Sequence, residues 1–205
     1  MSGVDINLKA GTYQNLKFLN PTITNNALGG AKEGVGITFK ARDDGTTYAP
    51  FPATLSGVLV DGGTITGNER GIRLGEPGKN NATPTNVTIE DVQFCNNVQH
   101  YIGADGSAYG DIINASQASV DASPNWFCSA TGPADDKVVT TGTGSIDYIP
   151  WCANAACTEL AGPVHNVTQD TWFATIQGAI GATSTSAGDV IEVSAGIYPE
   201  AVNGN

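Results

Sequence analysis

Hydrophobic and polar positions along this chain alternate in short runs. Val58-Leu59-Val60, Val87-Thr88-Ile89 and Gly71-Ile72-Arg73-Leu74 each place apolar side chains two residues apart, Thr64-Ile65-Thr66 sets one between two polar ones, and Gly or Asn follows at the bends. A period of two is that of half-buried strands, so the pattern predicts many short strands and few helices.

The runs recur at fixed offsets. Residues 16–26 fall on 58–68 at an offset of 42, matching Leu16 and Phe18 with Val58 and Val60, Thr22-Ile23-Thr24 with Thr64-Ile65-Thr66, and Asn26 with Asn68. Residues 58–72 fall on 87–101 at an offset of 29, matching Val58 and Val60 with Val87 and Ile89, Ile65 with Phe94, Asn68 with Asn97, and Ile72 with Tyr101. Three copies of a three-strand unit predict a β-solenoid, in which each strand stacks on its counterpart and inward Val, Ile, Leu and Phe form the core. Residues 41–53 and 75–86 read as insertions on one face. A fourth echo joins the ends: at an offset of 185, Ile6, Ala10, Gly11 and Tyr13 match Ile191, Ala195, Gly196 and Tyr198.

Composition agrees with a turn-rich β protein, with 26 Gly, 10 Pro and only 14% charged residues in 205. A net charge of −11 with nine basic residues excludes nucleic acid and anionic membrane as partners, because binding there rests on clustered Lys and Arg. No run is long and apolar enough for membrane insertion, and the residues before Val4 show neither the basic start nor the apolar run of a leader, so an exported chain is expected to have had its leader removed or to be part of something longer. The four cysteines lack zinc-ligand spacing and imply two disulfides, with Cys152 and Cys157 a local pair and Cys95 and Cys128 standing farther apart. Sequence alone leaves their connectivity open; an oxidising compartment, hence an extracellular or cell-surface location, follows.

The repeat pattern resembles the right-handed parallel β-helix family, the pectate-lyase-like solenoids of bacterial surface and secreted proteins. Asn125-Trp126-Phe127-Cys128-Ser129-Ala130-Thr131-Gly132-Pro133 and Tyr148-Ile149-Pro150-Trp151 are similar to closing segments of such domains, with Phe127-Cys128 where Trp-Gly is usual. Asn166–Gly188 resembles the family's entry segment: an amphipathic helix over 171–180 with Asp170 as N-cap, then the opening strand from Val190. The resemblance implies an all-β, right-handed parallel β-helix with one short capping helix near the C-terminus, in permuted order. It divides the chain into coils (1–132), a closing segment with Cys152 and Cys157 (133–165), and a capping helix with the first coil of a restarting unit (166–205).

An uncapped solenoid end invites pairing with another chain. The expected assembly and cap residues are Trp172, Phe173, Ile176, Ile180, Ile191, Val193, Tyr198, Ile6, Leu8 and Tyr13, and the expected partners are further copies of the chain, end to end, or neighbouring repeats of a longer protein. Enzymes of the resembled family imply Asp-bound Ca2+ with an Arg or Lys base, or paired carboxylates. Candidates for such roles are Asp43, Asp44, Glu69, Arg70, Arg73, Asp105 and Asp111, with Arg73, Glu69 and Asp105 the catalytic candidates and Asp105 and Asp111 those for Ca2+. Arg73 reads as an outward, solvated charge. His100 and His165 stand without a nucleophile beside them, which excludes a triad. The functional expectation is an extracellular, non-enzymatic structural or adhesive module needing no cofactor; the alternatives are a polysaccharide lyase or glycoside hydrolase, or a module that binds extracellular polysaccharide. Asn81, Asn86, Asn114 and Asn166 lie in glycosylation sequons.

Overall fold

A computed structural model describes residues 2–26, 34–97, 108–195, 198 and 200–203. Strands dominate, and most fall into three parallel sheets. The first contains β1 (Val4–Leu8), β4 (Ile37–Ala41), β7 (Ile72–Leu74), β10 (Ile112–Asn114) and β12 (Val138–Thr140), in that order. The second runs from β2 (Gly11–Leu19) through β5 (Ala53–Asp61), β8 (Thr85–Glu90) and β11 (Ser119–Asp121) to β13 (Ser145–Asp147). The third stacks β3 (Thr22–Thr24), β6 (Thr64–Thr66) and β9 (Gln93–Cys95).

The offsets read from the sequence are the pairing registers of β2, β5 and β8 and of the third sheet, whereas the match of Ile72 with Tyr101 is corrected, since Ile72 pairs with Ile112. Leu16 pairs with Val58 and Val58 with Val87; Phe18 pairs with Val60 and Val60 with Ile89; Ile23 pairs with Ile65 and Ile65 with Phe94. In-register pairing sets like side chains one above another, so each inward position becomes an apolar column. These columns are the core: Val58, Val60, Ile65, Ile89 and Phe94 are at most 1% exposed. Phe127 stacks on Phe94 at 5.7 Å, and a disulfide joins Cys95 to Cys128 beside that contact.

Asparagines lock the corner that follows the third sheet. The Asn68 side chain accepts from the Asn26 main-chain N–H at 3.0 Å and from its Nδ2 at 2.9 Å. The Asn97 oxygen accepts from Asn68 in the same two ways, and each Nδ2 also donates to a strand carbonyl, Asn68 to Ile23 and Asn97 to Ile65. This column supplies partners for polar groups that the bend removes from the sheet ladders. Backbones approach closely at Gly71, where an added Cβ would lie 2.1 Å from the Asp111 carbonyl oxygen. The insertions at 41–53 and 75–86 are tied together: Asp43 accepts from Asn81 and from the Ala82 amide, Arg42 pairs with Glu76 at 2.9 Å, and Lys79 pairs with Asp44 at 2.8 Å. One helical turn, α1 (Gly45–Tyr48), sits in the first of them.

The parallel sheets end at Asp147, and the chain then changes hydrogen-bonding pattern. β14 (Trp151–Cys152) and β15 (Leu160–Ala161) form an antiparallel hairpin around the Cys152–Cys157 disulfide. β16 (Val164–Asn166) lies between β17 (Thr171–Phe173) and β18 (Ile191–Val193), antiparallel to both. A right-handed parallel β-helix in permuted order is therefore corrected: among the described residues the strands form five separate sheets, three parallel and two antiparallel, and no single solenoid. The helix expectation is corrected as well. Thr171-Trp172-Phe173 extends as β17, because the turn through Asp170, at a φ of +53°, folds it back onto β16. Helix α2 covers only Ile176–Gly181, with Thr175 and not Asp170 as N-cap, its hydroxyl accepting from Gly178. Glu200 completes that cap by accepting from the Ile176 and Gln177 amides, each at 2.9 Å.

The asparagine column predicts an uneven response to deletion. Asn68→Ala, which strands buried groups on both neighbours, lowers the free energy of unfolding by about 2–3 kcal/mol, whereas Asn26→Ala at the half-exposed end costs under about 1 kcal/mol. Urea unfolding measures both, and equal losses would contradict the arrangement.

Candidate functional site

The polar candidates fall in places of very different access. β4, β7 and β10 are buried on both faces. Arg73, paired in register between Thr38 and Ile113, is 1% exposed, so its expected solvation is corrected. Glu69 is fully buried, as is Arg70, whose guanidinium lies 3.9 Å from the Tyr109 ring centroid and donates to the Ala108 carbonyl. Asp43 and Asp44 are spent on the contacts between the two insertions. Asp105, His100 and Tyr101 lie outside the described residues.

Asp111 is 3% exposed and accepts from Asn97 Nδ2 at 2.7 Å, so it terminates the asparagine column. Burial pushes its carboxyl up to about 6, against the lowering effects of the Asn97 hydrogen bond and the nearby Lys137 charge, with Asp136 adding to the rise. Asp91, Cys152 and Cys157 also lie close enough to surround an ion, but both sulfurs are consumed in the disulfide and offer no thiolate.

On the outward side of the second sheet, carboxylates stack on neighbouring strands. Asp61 pairs with Glu90 and Asp121 with Asp147. Partial burial, then Asp61, Asp91 and Asp121, raise the Glu90 pKa. A groove of about 520 Å³ passes beside Asp121 and Asp147, lined also by Asn86, Thr88 and Ser145. Of the four sequons, Asn81, Asn114 and Asn166 are at most 1% exposed, and Asn86 is exposed.

A larger cleft of about 660 Å³ opens between the β14–β15 hairpin and the free edge of β17. Trp172 and Phe173 line it, with Glu159, Asp170, Thr171 and Ser184 as its polar groups. The antiparallel register sets His165 opposite Trp172, and the two rings stack in parallel at 3.8 Å; Asp170 holds the imidazole through a 3.1 Å contact to Nε2. The indole is thereby fixed in orientation. Thr171 Oγ1 is buried without a hydrogen-bond partner. In sequence His165 is an isolated residue, and no spacing rule would have joined it to Trp172 and Asp170.

The assembly candidates occupy two ends. Ile6 and Leu8 on β1 and Tyr13 on β2 lie on strands that have a partner on one side only among the described residues. Exposure marks the same end: Val4, Ile6, Leu8, Leu16, Phe18 and Ile23 are half-buried, while their partners Ile37, Phe39, Ala41, Val58, Val60 and Ile65 are at most 1% exposed. Trp172, Phe173, Ile176, Ile180, Ile191 and Val193 belong to the C-terminal sheet and α2, where among the described residues β18 has β16 on one side and a free edge on the other; Tyr198 lies beyond β18, its hydroxyl donating to the Pro163 and Ser194 carbonyls. No family model, curated protein or solved structure matches this chain.

Asp111 gives stability a definite pH dependence. Its folded pKa of about 6 lies above the ordinary 3.8, so the proton stabilises the fold. That contribution is complete below the unfolded value and is lost as pH rises through about 6. Asp111→Asn keeps an acceptor for Asn97 and removes the charge. We expect the variant to gain up to about 3 kcal/mol over the parent at pH 8 and little at pH 4, measured by urea unfolding; an unchanged difference across that range would refute the assignment.

Proposed function

We propose that this chain is an extracellular, non-enzymatic structural or adhesive module that associates with further copies of itself, head to tail. The observation that carries the reading is the open end of the parallel sheets. Three edge strands of five, nine and three residues present backbone without a strand partner among the described residues, and half-buried apolar columns, there. Such an edge is a template for another chain. β18, whose sequence echoes this end, lies in the chain's own C-terminal sheet against β16, and among the described residues no strand covers the outer side of β1.

Other features support the same reading. Two disulfides brace the corners of the fold and suit an oxidising exterior. No helix among the described residues is long and apolar enough to cross a membrane. Glu69 and Arg73, candidates for acid–base work, are sealed from substrate. The expected outcome of sedimentation and negative-stain microscopy is a concentration-dependent series of end-to-end particles. Strictly monomeric particles at millimolar concentration would overturn the proposal.

The cleft beside β17 favours a second reading, a module that binds neutral glycans. A fixed indole suits the C–H face of a sugar ring, and carboxylates with hydroxyls accept and donate to its hydroxyl groups. No basic residue lines the cleft to hold an anionic sugar. Neutral oligosaccharides are expected to quench tryptophan fluorescence saturably, with affinity at least about tenfold weaker in Trp172→Ala. Equal binding by the variant, or preference for oligogalacturonate, would sink the idea.

A further inference from the structure

We infer that the joint between copies is a single parallel strand pairing, β18 of one molecule against β1 of the next, at the register of the 185-residue echo. This rests on the head-to-tail reading above and adds to it the partner strand, its direction and its register.

Hydrogen-bond parity carries the inference. Neighbouring residues in a strand send their backbone groups to opposite sides. On β1, the Val4 amide donates to Gly36 and the Leu8 carbonyl accepts from Arg42, so Val4, Ile6 and Leu8 face β4. Asp5 and Asn7 therefore offer their amides and carbonyls to the open side. On β18, the flanking Val190 carbonyl accepts from Val167 and the Ser194 amide donates to Pro163, so residues 190, 192 and 194 face β16. Ile191 and Val193 offer theirs to the free edge.

Parallel pairing requires an outward residue on one strand to lie opposite an inward residue on the other, bonding to the residues on either side of it. The echo register meets this condition. With Ile191 opposite Ile6, the Ile191 amide donates to the Asp5 carbonyl and the Ile191 carbonyl accepts from the Asn7 amide. A slip by one residue would break every such bond and turn each side chain to the wrong face. In the same register Val193 lies over Leu8 and Glu192 over Asn7, which keeps apolar on apolar and polar on polar. Val193 is 41% exposed in the single chain and gains its cover from Leu8.

Among the described residues nothing has to unfold, because both edges are free there while β16–β18 and β1–β4 stay paired. The competing arrangement is exchange of the C-terminal unit, in which β16 leaves its own β18 and pairs antiparallel with β1 of the neighbour. By the same echo it would set His165 opposite Asn7, since His165 now faces Glu192. It makes one strand pairing only by breaking another.

Variants that each add one cysteine to the four held in disulfides separate these outcomes. Mixed and mildly oxidised, Asn7→Cys and Glu192→Cys are expected to form an intermolecular disulfide, because partners on adjacent strands sit about 5 Å apart, within disulfide reach. Asn7→Cys with Ser194→Cys, about 8 Å apart in this register, is expected to cross-link at least about tenfold more slowly. All these positions are on strand edges or exposed, and thermal melting checks that each variant keeps its fold. Sizing of the unmodified protein runs beside the cross-linking. Assembly with no Asn7–Glu192 cross-link, with equal trapping of the off-register pair, or with trapping of Asn7→Cys by His165→Cys, overturns the register and leaves head-to-tail association standing. Absence of assembly overturns both.

Discussion

The rest of this molecule depends on strands of the same kind stacking in register. Each inward Val, Ile, Leu or Phe is buried only because an equivalent residue lies directly above or below it, roughly 5 Å away. A two-face β sandwich closes its core by packing one sheet on another; here burial along the stack comes from the next strand. A strand at either end therefore keeps its apolar side half covered, as Ile6, Phe18 and Ile23 show beside the fully buried Phe39, Val60 and Ile65. The stacking that makes the core also makes an unfinished end.

Polar groups obey the same rule at the corners. A bend frees amides and carbonyls from the sheet ladders, and burial makes each one expensive to leave unmet. Asn26, Asn68 and Asn97 meet them with side chains that donate and accept along the stack, and Asp111 terminates the column as a carboxyl kept partly neutral by its surroundings. Asn125 plays the corresponding part at another bend, accepting from Val92 and donating to Ile89 and Ala122. The column is thus at once a support and a pH-sensitive element.

Beyond Asp147 the stacking rule stops and antiparallel pairing takes over. Asn166 shows why the turn there holds: its side chain accepts from the Gln169 amide and donates to Thr185 and Asp189. The C-terminal unit built on that turn has two useful boundaries, the free edge of β18 and the cleft along β17. Assembly and ligand binding would use opposite edges of one small sheet and need not compete.

Much of this was legible in the sequence, and the reason is local. Offsets of 42 and 29 determined how β2, β5 and β8 and the third sheet pair, because those strands repeat the same internal spacing of alternating runs; the asparagine matches followed from the same alignment, and the pairing of Cys95 with Cys128 did not. The first sheet was not legible. Its paired residues Ile37, Ile72, Ile112 and Val138 are separated by insertions of unequal length, so no single offset aligns them. The fate of Arg73 was equally hidden, since alternation marks the face on which a residue lies but not what covers that face. The family resemblance also assigned Thr171-Trp172-Phe173 to a helix, whereas pairing with β16 drew it into a strand. Tertiary structure alone decided how the sheets divide, the meeting of His165, Trp172 and Asp170, and which edges remain open, because each depends on contacts between segments whose separation in the chain carries no period.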